Sequence, residues 1–283
     1  MGEIVAAAVF AHAPGIMAPE PLRKAMGGGR DTSLVASMPV FRQRLDAARP
    51  DTLVIFDTHW FTTIEHVVAG AEHFSGIYTS EELPTLICDK PYDYAGAPAL
   101  AAKVVELARP RGVRCTNAVS KNMAVHYPTL NALHWLHRGE RVLSVSVCQT
   151  AEPHNWLDLG AVIAEAVRAT DHRVALLASG GMSHRFWPMD TILAHGGWDP
   201  KDVHSAEAVA IDRKILALWS AGDHAAVIDL YPEYRRFSPE GFFAHYLMLV
   251  GALGGRACGA KGVRLSDYEN AVGTAQAHVW FEL

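Results

Sequence analysis

Val174-Ala175-Leu176-Leu177-Ala178-Ser179-Gly180-Gly181-Met182-Ser183-His184 is an apolar run that closes in small residues and a histidine. Two other runs share this design: Val5-Ala6-Ala7-Ala8-Val9-Phe10-Ala11-His12 and Leu53-Val54-Ile55-Phe56-Asp57-Thr58-His59-Trp60. Each reads as a strand that delivers a histidine at or just past its C-terminal end. In open α/β sheets the crevice beyond the carboxyl ends of the strands gathers ligands and catalytic groups. Three imidazoles arriving at one edge therefore suggest a single metal site, or a metal site plus a base.

Outward from these runs, strand and helix patterns alternate. The sequence predicts an amphipathic helix over Leu34–Ala48 stopped by Pro50, strands over Thr52–Phe56 and His66–Gly70, and a long polar connection from Glu72 to Asp93. An Ala-rich helix over 97–108, a strand over 113–116, a helix over 129–137 and a strand over 141–147 follow. A helix over 156–169, capped by Asn155, precedes the His184 run. From Ala206 the pattern turns helical, over 206–220, 225–230 and 239–253, with Pro239 suited to a first helical turn. Residues 275–281 read as a final strand at a sheet edge. This alternation predicts one α/β domain over residues 1–283, with a central mixed sheet flanked by helices and the metal site at the C-terminal edge of the strands. No Pro/Ser-rich linker or charge block divides the chain.

Half of the 283 residues are hydrophobic, enough to bury a core without disulfides. A formal net charge of -5 argues against a nucleic-acid binder. No apolar run reaches membrane-spanning length and no signal-like segment opens the chain, so a cytoplasmic enzyme off the membrane is expected. Cys88, Cys115, Cys148 and Cys258 form no C-x-x-C pair and are expected to be reduced thiols. Phosphate-loop, dinucleotide, serine-elbow and H-E-x-x-H motifs are all missing.

His12 lies between a strand and a Pro-Gly turn, and His59 follows Asp57, a possible orienting partner for its second ring nitrogen. Glu240, in Phe237-Ser238-Pro239-Glu240-Gly241, falls at the first turn of the last predicted helix. Taken singly, each has an ordinary reading as a turn, surface or cap residue. Together, two histidines and one carboxylate match the facial ligand set of non-haem Fe(II) oxygenases. His184 and His126 are the remaining candidates, as acid or base. On these residues alone a zinc-dependent hydrolase or a non-catalytic binding protein stays open.

Phe56-Asp57-Thr58-His59-Trp60, the stretch His73-Phe74-Ser75-Gly76-Ile77-Tyr78-Thr79-Ser80-Glu81-Glu82-Leu83-Pro84, and Leu177-Ala178-Ser179-Gly180-Gly181-Met182-Ser183-His184-Arg185-Phe186 carry a resemblance that runs nearly end to end. The chain resembles the class III extradiol ring-cleavage dioxygenases, the superfamily of the protocatechuate 4,5-dioxygenase catalytic subunit, and most of all its 3,4-dihydroxyphenylacetate branch. The resemblance implies Fe(II), with Mn(II) as the alternative, held by His12, His59 and Glu240. It implies His184 as acid/base and His126 as a proton donor, at a position where the dihydroxyphenylacetate branch would carry a glutamate. The implied substrates are O2 and a catechol: 3,4-dihydroxyphenylacetate or a related carboxylated catechol, with gallate, methylgallate or protocatechuate as alternatives. Lys90, Lys121 and Arg185 are the candidate partners for a substrate carboxylate. A homo-oligomer is expected, and a small accessory subunit is the further partner the superfamily implies.

Overall fold

The computed structural model describes residues 1–283 and resolves the alternation into twelve strands. They are β1 (Glu3–Phe10), β2 (Thr52–Thr62), β3 (His66–Ala69), β4 (His73–Tyr78), β5 (Lys90–Ala95), β6 (Cys115–Ala118), β7 (Arg141–Cys148), β8 (Arg173–Ser179), β9 (Lys261–Arg264), β10 (Glu269–Ala271), β11 (Thr274–Gln276) and β12 (Val279–Glu282). Eight of them form one sheet in the order β6-β3-β7-β2-β8-β1-β12-β9. β7, β2, β8 and β1 run parallel, while β3 opposes β7 and β12 opposes both β1 and β9. This is the expected single-domain α/β architecture with a mixed sheet. Its order sets the three histidine-bearing strands, β2, β8 and β1, side by side at the centre.

Those strands are apolar throughout because both faces are covered, as parallel sheets require. Successive side chains point to opposite faces. Val9, Val54, Phe56, Leu176 and Ala178 pack into one core with the helices Pro98–Ala108, Pro153–Arg168 and Ala244–Ala252. Ala8, Phe10, Leu53, Ile55 and Leu177 pack into the other, with the helices Met38–Ala48 and Tyr127–Leu136. No helix is long and apolar enough to cross a membrane.

Several local expectations are corrected. The polar segment 72–93 is a hairpin, β4 against β5; most of β4 is exposed, so no apolar alternation marks it. The first amphipathic stretch is two helices, Ser33–Ala36 and Met38–Ala48, meeting at Ser37, whose hydroxyl donates to the Leu34 carbonyl at 2.7 Å. Glu152, not Asn155, caps the helix that follows β7; Asn155 Oδ1 instead accepts from the Glu152 N–H at 2.9 Å, completing a capping box. The C-terminal strand is not an edge, because β9 covers β12. The expected helix over 239–253 begins only at Ala244, after a 3-10 turn over Glu240–Phe243.

Candidate metal centre

The ends of β1 and β8, a bulge within β2 and one turn build the site. His12 lies two residues past β1. His59 sits in a bulge within β2, where the register against β7 slips between Phe56 and Phe61. Asp57 Oδ1 holds that bulge by accepting the N–H groups of His59 and Trp60 at 3.0 and 3.2 Å. Its other oxygen accepts from the Thr129 hydroxyl at 2.6 Å. Asp57 therefore fixes the backbone and does not orient the His59 ring, which corrects the expectation. The ring partner is Glu82, in the β4–β5 loop, with Oε1 3.0 Å from His59 Nδ1.

Glu240 arrives on a turn of three successive left-handed residues, Gly241, Phe242 and Phe243, with φ of 52°, 59° and 62°. Its Oε2 accepts the Gly181 N–H. A Cβ at Gly181 would stand 2.9 Å from that carboxylate and 2.7 Å from the Ala275 carbonyl, so glycine is needed there. Glu240 Oε1 faces His12 Nε2 at 2.8 Å, His59 Nε2 at 3.3 Å and His184 Nε2 at 3.9 Å. The ligand atoms of His12, His59 and Glu240 all lie within 4.8 Å of one another.

This donor set fits a metal ion. His12 Nδ1 is engaged by the Ser179 hydroxyl at 3.0 Å, while its Nε2 is buried beside Glu240 without a properly directed hydrogen bond. Burial alone would lower the pKa of His59, yet the Glu240 and Glu82 carboxylates push it up to about 10. Burial works against ionisation of Glu240, and His12, His184 and His59 outweigh it, holding the carboxyl well below its usual range. The pocket therefore stabilises positive charge among these groups, which a divalent cation supplies as well as a proton.

His184 follows β8 through Gly180 and Gly181, and its segment is anchored from behind by Asp212. That carboxylate accepts from the Ser183 hydroxyl at 2.6 Å, the Ser183 N–H at 3.2 Å, Tyr268 OH at 2.7 Å and Tyr234 OH at 2.8 Å. Burial pushes the His184 pKa below its ordinary value, leaving a neutral imidazole. His12, His184, Glu240 and Tyr127 share a cavity of about 510 Å³.

Tyr127 was not singled out by sequence reasoning. Its hydroxyl lies 2.7 Å from His59 Nε2. Burial first, then the Glu240, Glu82 and Asp57 carboxylates, raise its pKa well above the ordinary value and keep the phenol protonated. His126 does not line the same cavity. It stands at the N-cap of the helix that Tyr127 opens without a capping side-chain bond, stacks on Trp60 at 6.4 Å, and lines a neighbouring groove of about 360 Å³ together with His59, Glu82 and Tyr127. Consecutive residues at a helix start diverge in direction, and here it is Tyr127 that faces His12 and His59. Lys90, Lys121 and Arg185 do not line the cavity either; Lys90 opens β5 opposite Tyr78, and Lys121 and Arg185 are exposed.

A family model described as the catalytic LigB subunit of aromatic ring-opening dioxygenase matches residues 6–280. The chain belongs to this family. It is 30% identical over 258 residues to 3,4-dihydroxyphenylacetate 2,3-dioxygenase of Escherichia coli, covering 90% of this chain and 91% of the relative. It is 24% identical over 261 residues to the 2-aminophenol 1,6-dioxygenase alpha subunit of a Pseudomonas species, covering 89% and 91%. Among solved structures, an uncharacterized protein, JW3007, from Escherichia coli K12 superposes with a TM-score of 0.58 at 18% identity, covering 87% of this chain and 92% of that one. That likeness shows the shared fold. The family and its named relatives are ring-cleaving dioxygenases, which makes this LigB-family chain an oxidoreductase acting on aromatic compounds.

Proposed function

We propose that this chain cleaves a catechol-type aromatic with O2 at the extradiol position, holding Fe(II), or Mn(II) in its place, through His12, His59 and Glu240. The observation that carries the reading is the convergence of the His12, His59 and Glu240 donor atoms within 4.8 Å of one another, His12 and Glu240 standing at one end of a largely apolar cavity beside a neutral imidazole and a phenol. An Fe(II) ion in a two-histidine, one-carboxylate set supplies open coordination positions and the one-electron chemistry that lets ground-state O2 react with a catechol. His184, left neutral by burial, accepts a proton from a catechol hydroxyl and returns it as the ring opens. Tyr127, in the role expected of His126, offers a protonated phenol to the oxygens of the diol. Gln276 lines the same cavity with a buried Oε1 that has no partner, a free acceptor for the remaining hydroxyl. The apolar walls exclude water from the reacting groups. Both oxygen atoms enter the product, the C–C bond beside the diol breaks, and a ring-opened semialdehyde results without a reductant.

The four cysteines are free, which suits the reducing cytoplasm to which we assign the enzyme. β6 and β9 end the large sheet, and edge strands are ready pairing surfaces, so a homo-oligomer belongs to the proposal. Relatives named as alpha and beta subunits make a second chain the alternative.

The test is to load the protein anaerobically with Fe(II), add a panel of catechols that includes 3,4-dihydroxyphenylacetate, gallate and protocatechuate, and admit air. One O2 consumed per yellow semialdehyde is the expected result. Stoichiometric metal with no uptake on any diol overturns the reading. His184→Phe should keep its metal and lose turnover by roughly 10²–10⁴.

A further inference from the structure

The resemblance favours a substrate with a carboxylate arm, and the cavity offers nothing to receive one. Its lining contains no lysine or arginine, and its carboxylates are Glu82 and Glu240. A substrate carboxylate on the arm would lie against apolar side chains with no protein cation within the lining to pair it, and so would gain no specific binding from the cavity. Arg185, the cation next to His184 in the chain, is exposed and absent from the lining. Besides the Tyr127 phenol at the metal end, the uncharged polar side chains are Thr274 and Gln276, the Gln276 Nε2 donating to the Thr274 hydroxyl at 3.1 Å. They stand at the metal end, where Gln276 Nε2 and Glu240 Oε2 both border Gly181.

Away from that end the walls are Met26, Leu83, Leu86, Ile192, Leu193 and Trp198. The apolar character continues to the surface, where Phe186 is 52% exposed and Leu193 is 91% exposed. At about 510 Å³ the cavity falls in the range that holds ligands well beyond one ring. A catechol whose diol sits at the His12–Glu240 end leaves its substituent against this apolar wall.

We propose that the preferred substrate is a catechol bearing an uncharged, apolar substituent, an alkyl or aryl arm received by the Met26–Leu86–Leu193–Trp198 wall, rather than a carboxylated catechol. This assignment rests on the ring-cleavage reading of the same site. At 30% identity the Escherichia coli relative leaves room for the change. Each methylene buried against such a wall multiplies affinity about four-fold.

The experiment compares 4-propylcatechol, unsubstituted catechol and 3,4-dihydroxyphenylacetate on the metal-loaded full chain. It reads kcat/KM from O2 uptake and Kd from anaerobic calorimetry. We expect 4-propylcatechol to exceed both others by about ten-fold or more in kcat/KM and to bind correspondingly tighter. A kcat/KM for 3,4-dihydroxyphenylacetate equal to or above that of 4-propylcatechol overturns the assignment and leaves ring cleavage intact. If none of the three consumes O2, calorimetry still decides the arm, and ring cleavage falls only when gallate and protocatechuate are inert as well. Tighter binding of the alkyl catechol sustains the apolar wall; tighter binding of the acid, or binding of neither, removes it. Leu193→Arg supplies the missing cation at an exposed position where folding is not at risk. It should move the acid-to-alkyl ratio of kcat/KM by at least about ten-fold toward the acid. An unmoved ratio in a folded, metal-binding variant takes the arm away from this wall and overturns the assignment.

Discussion

His126 and Tyr127 are adjacent in the chain, and only the second reaches the cavity. Tyr127→Phe should keep the fold and the metal and lower kcat by about 10² or more, the usual worth of a positioned proton donor; steady-state rates beside metal analysis check this, and an unchanged kcat would remove the phenol from the chemistry. Glu82 holds His59 Nδ1, and in the proposed centre it would act on the metal through that ring. Glu82→Ala should weaken metal affinity by about 10–100-fold, with Glu82→Gln in between because its amide oxygen still accepts the ring N–H; a metal-buffered titration reads the order of the three proteins. The histidines were legible in the sequence because a strand end fixes where its next residues go. Glu82 and Tyr127 were not, since their roles arise from contacts between distant segments. Proximity in the chain favours Asp57 as the partner of His59, and folding assigns it to the backbone of the bulge instead.

At the scale of elements, the Glu240 turn departs furthest from its sequence. Pro239 followed by an acid reads as a helix start, yet Gly241, Phe242 and Phe243 all take left-handed φ values. Such a conformation costs a non-glycine residue about 1–2 kcal/mol. It is held by the packing of Phe243 against Tyr234 and Trp219, at 4.9 and 6.1 Å, and by the clasp of Gly181 on Glu240. Tertiary contacts of this kind leave no local trace. Gly241→Ala combines φ of 52° with a Cβ 2.5 Å from Thr58 Cγ2. It should cost about 1–3 kcal/mol and reduce metal uptake as well, because Thr58 and Glu240 share that contact region. Urea denaturation and metal content measure both, and a variant as stable as the parent would mean the turn carries no strain. The β4–β5 hairpin escaped detection for a different reason: only Phe74 and Tyr94 of this ribbon are buried, and two residues make no readable apolar alternation.

For the molecule as a whole, the sheet was legible because strands buried on both faces must be apolar from end to end, and such runs stand out. Their burial also has a cost in acid. His66, His245 and His278 are enclosed, and desolvation lowers each pKa to about 4. The unfolded chain therefore binds protons that the folded chain refuses between about pH 6.5 and 4. Stability should fall as pH drops through that window, each histidine removing about 1.4 kcal/mol per pH unit. In the chelated protein it should also decline above pH 6.5, where the folded chain keeps on His59, raised to about 10, a proton that the unfolded chain releases. Denaturant midpoints of the chelated protein from pH 7.5 to 5 test the slope, and His66→Gln should make it shallower; a flat profile would mean these rings are hydrated. The β4–β5 loop sets a different kind of limit. Glu82 steadies His59, while Leu83 and Leu86, one and four residues on, wall the cavity. Substitutions that retune which aromatics are accepted would thus fall on the segment that steadies the proposed ligand His59. A lineage drifting toward new substrates through this loop would pass through forms with loosened metal, so diversification should run instead through the opposite wall, around Ile192 and Leu193.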